Sequence, residues 1–413
     1  MLSWCIHLYE RKKIANPGTV RGFCIILNDQ LLCSRCNMKK KSLGITQKMF
    51  LSVINGVEQY AFSENFNLSN QSPFEEIFSD RIMSVRRYHE LDEDEIEVAG
   101  EKVKVESGKY RVPLLLIPPL AATSMIFDLM PHRSVVRYFL AKGFDVYLVD
   151  WGDVTADHTD LSLETYVLEW LPDVLSAVRK SSGQEDVSIF SYCMGGLLAL
   201  MYLATSGDSK VRNLITVASP IDMHQSGMAG KVLSAIYKPA QTVSSILNFS
   251  LLDLPARYFH VPGWVSSIAF KLTNPIGSVI GSYEKFLNLW DREYLEESLT
   301  MSKWFNEMVD YPGETIRDMA VHMALNNKLA SGNMSIGEAR AEFKQIESAV
   351  LAFAGESDNL VSAPAARKVL DIVSSEDKSF CVVPGGHAGV FAGSKAPSNT
   401  WQISSQWLED RSY

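Results

Sequence analysis

The stretch Val187-Ser-Ile-Phe-Ser-Tyr-Cys-Met-Gly-Gly-Leu-Leu-Ala199 constrains this chain more than any other. Val187 to Phe190 is a β-branched and aromatic run that reads as a buried strand, and the Leu/Ala run from Leu197 reads as a helix. Few residues separate the two, so the chain must reverse sharply at Cys193, which is forced into a strained backbone conformation. The flanks of such a turn are brought close together and must be small. Ser191 and Gly195, two residues to either side, and Gly196 after them, satisfy that demand. A strand, sharp turn and helix of this kind lift the central side chain clear of a sheet at a helix N-terminus. There the free N–H groups and the dipole favour a thiolate and a developing oxyanion. Cys193 is therefore a candidate nucleophile, standing where the better-known elbow has serine. The competing reading is a buried structural cysteine in a Gly-containing turn.

An elbow of this type needs a parallel sheet around it, and the chain carries the pattern for one. Leu114 to Ile117 and Phe144 to Val149 are continuous apolar runs, ending in Pro118-Pro119-Leu120 and Asp150-Trp151-Gly152. Ser134 to Lys142, stopped by Gly143, and Leu163 to Lys180 have helical spacing, and Leu214 to Ala218 reads as the strand after the elbow helix. From about Asp222 to Lys344 the strand rhythm gives way to Leu, Ile, Tyr, Trp and Met at helical spacings. It resumes with Ala349 to Ala354, a helix from about Ala363, a strand Ser379 to Val383 and a closing helix near Trp401 to Leu408. Buried strands alternating with amphipathic helices predict an α/β fold with a mostly parallel, doubly wound sheet. The expected organisation is an N-terminal extension over residues 1–47, the first part of the core over 48–221, a helical cap over 222–344 and the second part of the core over 345–413. Chemistry on such a sheet belongs at the carboxyl ends of its strands, where Cys193 falls.

Composition removes several alternatives. With 46% hydrophobic and 21% charged residues, the chain belongs with globular proteins, and a net charge of −9 lacks the basic footprint that nucleic acid requires. No uninterrupted apolar run reaches the roughly 18 residues of a transmembrane helix. The longest candidate, Val112 to Phe127, is broken by Pro118 and Pro119. Met1 to Lys13 places apolar residues before charged ones, the reverse of a secretory signal. Six cysteines over this length are no disulfide framework, so a reducing cytoplasm is the expected compartment.

Residues 1–47 read differently from the rest, as a poorly ordered appendage or a non-native start, with Met38 or Met49 as alternative first residues. Cys24 with Cys33-x2-Cys36 has part of a zinc spacing but no second pair follows, and no metal is expected. Gln47 to Glu90 has a mixed pattern that predicts helix, and Asp92 to Glu95 reads as a solvated edge. Ile96-x-Val98 and Val103-x-Val105, alternating around Ala99-Gly100, predict an antiparallel hairpin at the sheet margin.

Two late strand ends supply an acid and a base. Ala349 to Ala354 runs into Gly355-Glu356-Ser357-Asp358, and Cys381-Val-Val-Pro runs into Gly385-Gly-His-Ala-Gly389. Nucleophile, acid, histidine is the chain order of the α/β-hydrolases. Of eight histidines only His387 follows a late strand in a Gly-rich loop, whereas His132, His158, His224 and His322 read as surface or packing residues. Asp358 is the best acid, with Glu356 and Asp150 as competitors. His387 would take the proton from Cys193 while Asp358 holds the imidazole. The Met194 N–H and a second N–H near Leu120 or Ala121 would form the oxyanion hole.

A thiol at the elbow alters what the intermediate is good for. Transfer from a thioester donor to a thiol exchanges one thioester for another and preserves acyl-transfer potential. An alcohol can then collect the acyl group, provided that a cap keeps water out. An acyltransferase acting on an activated thioester is thus favoured over a hydrolase.

The residues also resemble a known family. Ser-Tyr-Cys193-Met-Gly-Gly is similar to the lipase-like box of polyhydroxyalkanoate synthases. The likeness extends to Tyr138 through Gly152, Met301-Ser-Lys-Trp304 with Tyr311-Pro312, Asn326-Asn-Lys-Leu329, Gly355 to Asp358, and Gly385 to Gly389. It covers about residues 80 to 410, with the compact length of the two-component, class III catalytic subunits, class IV being less favoured, and an Asp358 to His387 interval of 387 − 358 = 29 residues. The resemblance implies an α/β-hydrolase fold and polymerisation of (R)-3-hydroxyacyl-CoA, with Cys193 carrying the chain and His387 activating it. Asp358 is implied either to orient His387 or to help deprotonate the incoming 3-hydroxyl. No cofactor is implied beyond the coenzyme A thioester, which is substrate. A dimer or hetero-oligomer, a helical second subunit and a cytoplasmic granule surface are implied as well. Ser191 departs from the Gly usual at the first position of the box. Two other readings are a cysteine-elbow hydrolase of esters or lactones and a non-catalytic granule-binding paralogue. The intact set of Cys193, Asp358 and His387 argues against the latter.

Overall fold

The computed structural model describes the backbone of residues 6–12, 19–27 and 30–33, and residues 43–106, 108–120, 122–227, 230, 254–272 and 284–413 in full. The chain divides into two compact units, Met1–Gln71 with Ala269–Asn306, and Ser72–Ile268 with Glu307–Tyr413.

In the first unit, strands Ile6–Lys12, Thr19–Leu27 and Gln30–Cys33 pair antiparallel, setting Cys24 opposite Cys33, in the stretch expected as a loose appendage. Helix α1, Ile45–Ala61, buries Leu51, Ile54, Asn55 and Glu58. The Glu58 carboxylate, fully buried, pairs at 3.0 Å with Arg292, whose guanidinium lies 3.7 Å from the centre of the Phe66 ring. A buried ion needs such a partner, because removing either one strands the other in a low-dielectric interior.

The second unit is built on one sheet of eight strands. In chain order these are β1 Phe74–Asp80, β2 Met83–Tyr88, β3 Leu114–Ile117, β4 Val146–Asp150, β5 Val187–Tyr192, β6 Val211–Val217, β7 Ala349–Gly355 and β8 Lys378–Val383. Their spatial order is β8-β7-β6-β5-β3-β4-β2-β1. The six strands from β3 to β8 run parallel; at one edge β2 is added antiparallel to β4, and β1 antiparallel to β2. β3 and β5 are buried along their whole length, as strands covered on both faces must be.

β1 and β2 correct the helix expected over Gln47 to Glu90, which holds only for α1. Asp80-Arg81-Ile82-Met83 is a tight turn with Arg81 at φ 52°, and β2, which buries Met83, Val85 and Tyr88, is held by the pairing of Ser84 to Arg87 with β4. The hairpin Glu95–Val98 and Glu101–Lys104 forms at the expected Ala99-Gly100 turn, but as a separate two-stranded sheet.

Helices cover the sheet between strands. α2, Val135–Ala141, starts at Ser134, whose hydroxyl accepts from the Arg137 N–H, and ends at Gly143, which has φ 90°. α3, Leu171–Ser182, continues a wide-turn segment, Thr165–Trp170, and closes on Gly183 at φ 69°. α4, Met194–Ser206, is apolar around its circumference, as a helix buried on all sides must be. The described parts of 222–344 are chiefly helical, including Gly263–Leu272, Arg292–Asn306, Gly313–Asp318 and Met319–Leu325. No described helix is long and apolar enough to cross a membrane.

Candidate active site

Cys193 stands between β5 and α4 with φ 51° and ψ −117°, a backbone conformation an L-residue adopts only under constraint. The constraint is visible on both sides. Its N–H donates to Val217 O at 2.8 Å, and its carbonyl accepts from Gly196 N at 3.1 Å. A Cβ at Gly195 would lie 2.3 Å from Ile117 O, and one at Gly196 would lie 2.2 Å from Ser219 Oγ. The small residues expected around the elbow are thus demanded by β3 and by the loop after β6. Ser191 is fully buried and donates its hydroxyl to Ile215 O at 2.6 Å, so the departure from Gly is absorbed by a bond to the next strand.

Asp358 and His387 follow β7 and β8, whose ends are held together by their backbones. Glu356 N donates to Val383 O at 2.9 Å and Ser357 N to Gly385 O at 3.1 Å. Gly355 and Gly385, the latter at φ 132°, permit that approach. Asp358 turns one oxygen to its own loop, accepting from Leu360 N at 2.8 Å and Val361 N at 2.9 Å. Its other oxygen meets His387 Nδ1 at 2.9 Å, and the carboxylate is wholly buried. Burial of the His387 ring opposes its charged form. The charge of Cys193, hydrogen bonds to Asp358 and Cys193, and the charge of Asp358 outweigh that and raise the pKa from 6.5 to about 10. At neutral pH the arrangement favours the protonated form of the His387 imidazole.

The competing acids stand elsewhere. Glu356 is exposed, and Asp150 binds Gly152 N at 3.1 Å and pairs with Arg86. His158 contacts Thr155, His224 meets Ala324 O at 2.9 Å, and His322 is half-buried with its pKa lowered by desolvation and by Lys328. His132 is half-buried on the loop before α2. Of the expected oxyanion residues, Met194 begins α4 and Leu120 follows β3, both buried, and Ala121 lies outside the described residues. Among the described residues no group of His, Cys, Asp and Glu is disposed to hold a metal ion.

Sequence reasoning did not single out Trp151 as a support of this site. Its indole N–H donates to Pro118 O at 3.0 Å, and its ring stacks on Trp170 and packs edge-on against Tyr166. It therefore pins the loop that leads to Leu120. The partner is 33 residues away, and no periodicity encodes such a pair.

Residues 112–393 match the family described as alpha/beta hydrolase fold. Over 321 residues the chain is 29% identical to the poly(3-hydroxyalkanoate) polymerase subunit PhaC of Haloferax mediterranei, which covers 78% of this chain and 63% of that protein. The subunit of the same name from Allochromatium vinosum is 28% identical over 73% of this chain and 81% of its own length. The chain thus spans less than two thirds of the Haloferax relative. Among solved structures, a soluble variant of monoglyceride lipase from Saccharomyces cerevisiae superposes with a TM-score of 0.52 at 14% identity, over 84% of this chain and 96% of the lipase. That likeness is one of fold. This chain belongs to the α/β-hydrolase fold family, and the curated proteins it resembles over most of its length are poly(3-hydroxyalkanoate) polymerases.

Proposed function

We propose that this chain is a poly(3-hydroxyalkanoate) synthase, which joins (R)-3-hydroxyacyl units, short-chain ones such as 3-hydroxybutyryl foremost, from their coenzyme A thioesters. The observation that carries the reading is a thiol, rather than a hydroxyl, at the apex of the elbow, hydrogen-bonded to an imidazole that a buried carboxylate holds. Cys193 Sγ attacks the thioester carbonyl, and the oxyanion is received by the Met194 N–H and by an N–H near Leu120 or Ala121. The tetrahedral intermediate collapses, the C–S bond to coenzyme A breaks, and His387 returns a proton to the departing thiolate. A 3-hydroxyl from another unit then attacks an enzyme-bound acyl carbonyl, giving up its proton to His387. An oxoester forms and a thiol is released. Asp358 holds His387 in the orientation these transfers need, or assists in deprotonating that hydroxyl.

Water would end the chain as a free acid, so the reading assigns segment 222–344 the task of excluding it. The names of the sequence relatives support the same activity. A helical second subunit of the class III kind, a cytoplasmic location and a granule surface belong to the proposal. So does the absence of any cofactor beyond the substrate thioester. The test is to supply 3-hydroxybutyryl-CoA and measure released coenzyme A against polymer. Polymer accumulating with coenzyme A, and labelled acyl groups recovered on Cys193, are expected. Free hydroxy acid without polymer would replace the synthase with a cysteine-elbow hydrolase. Full release by Cys193→Ala would remove the nucleophile from the account.

A further inference from the structure

Tyr192 precedes the nucleophile and reaches the loop of the base. It is the last residue of β5, with 2% of its surface exposed, and its hydroxyl donates to the main-chain carbonyl of His387 at 3.1 Å across 195 residues of sequence. Its ring stacks on Phe391 with centroids 4.4 Å apart and planes 21° apart, and lies 5.4 Å from the His387 ring. Phe391 belongs to the short helix Gly389–Ala392, which starts directly after the His387 loop and is tied to it by Val390 N donating to Gly386 O at 2.9 Å. The base loop is therefore fastened at its side chain by Asp358 and at its backbone by Tyr192. The second fastening issues from the residue bonded to Cys193 itself.

We propose that Tyr192 is a positioning residue that sets the imidazole of His387 in register with the thiol of Cys193. The phenol donates to a backbone carbonyl and touches no reacting atom, so it acts through His387. A side chain next to the nucleophile in sequence, anchored to the base in space, turns the separation of two distant loops into a property of one dipeptide. Without the hydroxyl, β8 and Asp358 still hold His387, but its loop gains freedom relative to the elbow. A protonated imidazole promotes ionisation of a neighbouring thiol only while the two are held close, so a looser loop weakens that effect. Among the described residues, the groups that face the His387 ring include Asp358 on the loop after β7, Cys193 on the elbow and Tyr192 on β5.

The proposal refines the mechanism given above, and its primary test is independent of that reaction. Tyr192→Phe removes only the hydroxyl and keeps the stacking ring. The rate of iodoacetamide alkylation at Cys193 is followed against pH by mass spectrometry of its peptide, which separates it from the half-buried thiol of Cys381. The expected result is a midpoint of thiol reactivity moved to higher pH, with alkylation at neutral pH slower by about threefold or more and the unfolding midpoint nearly that of the parent. With 3-hydroxybutyryl-CoA, kcat should fall about tenfold at little change in KM, the pattern of lost transition-state alignment. An alkylation profile that overlays the parent's, whatever happens to stability, would reduce Tyr192 to a core residue and overturn the proposal. A shifted profile in a chain that makes no polymer would leave Tyr192 in its role and reject the synthase reading.

Discussion

Gly196→Ala and Ser219→Ala, separately and together, test whether the elbow is packed as described. A Cβ on Gly196 would lie 2.2 Å from Ser219 Oγ, 3.0 Å from Ser219 Cβ and 3.3 Å from Ser191 Oγ. Overpacking of this kind costs about 1–3 kcal/mol. A helical Gly→Ala change returns about 0.5–1 kcal/mol through the unfolded chain. The overpacking range less that gain spans about 0–2.5 kcal/mol, and an approach as close as 2.2 Å sets the single variant in its upper part, at about 1–2.5 kcal/mol. Ser219 Oγ is buried and has no hydrogen-bond partner among the described residues. Its removal should leave stability unchanged or raise it by up to about 1 kcal/mol, the cost of a desolvated hydroxyl. In the double variant the closest atom becomes Ser219 Cβ at 3.0 Å, a separation that a shift of a few tenths of an ångström relieves. A coupling of about 1–2 kcal/mol in the rescuing direction follows. Gly195→Ala is the control without rescue, because its Cβ would meet backbone, Ile117 O at 2.3 Å and Pro118 O at 2.8 Å. It should cost more than about 3 kcal/mol and abolish turnover. Guanidinium unfolding of the full chain, fitted with a common slope, measures the cycle. A Gly196→Ala variant as stable as the parent, or a double variant no more stable than Gly196→Ala, would refute the packing described around Cys193.

Three further outcomes follow from the site. Because His387 is raised from 6.5 to about 10 chiefly by the charge of Cys193 working against burial, its stabilising contribution is complete below about pH 6.5 and lost as pH rises through about 10. The unfolding midpoint of the parent should decline across that window, and Cys193→Ala should show a flatter decline; parallel curves would contradict the pairing. Asp358→Asn keeps the shape of the acid but not its charge at His387 Nδ1, and should lower the acylation rate by about 10²–10⁴-fold in a single-turnover measurement of released coenzyme A. Trp151→Phe deletes the indole bond to Pro118 O while retaining a ring against Tyr166, and should reduce kcat about fivefold with KM unchanged, the equivalent of about 1 kcal/mol of alignment in the oxyanion loop.

The parallel core was legible in the sequence because each of its strands is decided locally. Leu114 to Ile117 is apolar on every residue and Val187 to Phe190 on all but the small Ser188, and only a strand covered on both faces tolerates that. Helix ends were legible where one residue carries the signal, as at Ser134 and Gly143. β1 and β2 were not. Phe74–Asp80 is mostly exposed or half-exposed, and its pairing depends on β2, which in turn depends on β4 some 60 residues later. An edge strand that buries little on its own has a pattern no sharper than that of a mixed helix.

The site divides along the same line. The elbow was readable because a tight turn makes its demand within six residues, and Ser191, Gly195 and Gly196 answer it there. Asp358 and His387, brought to 2.9 Å, were readable one at a time, each as a polar residue in a loop after a late strand. Which carboxylate would face the imidazole was open among Asp358, Glu356 and Asp150. It is decided by the pairing of β7 with β8, which turns Asp358 inward through the amides of Leu360 and Val361 while Glu356 points to solvent. The bonds that join one loop to another, Tyr192 to His387 and Trp151 to Pro118, have aromatic donors and main-chain carbonyl acceptors. Every residue offers such a carbonyl, so the acceptor leaves no mark on the sequence and the donor resembles any buried aromatic. Residues that perform chemistry must be particular side chains and can be read from the sequence. Residues that hold them in register can bond to any backbone, and only the folded chain identifies them.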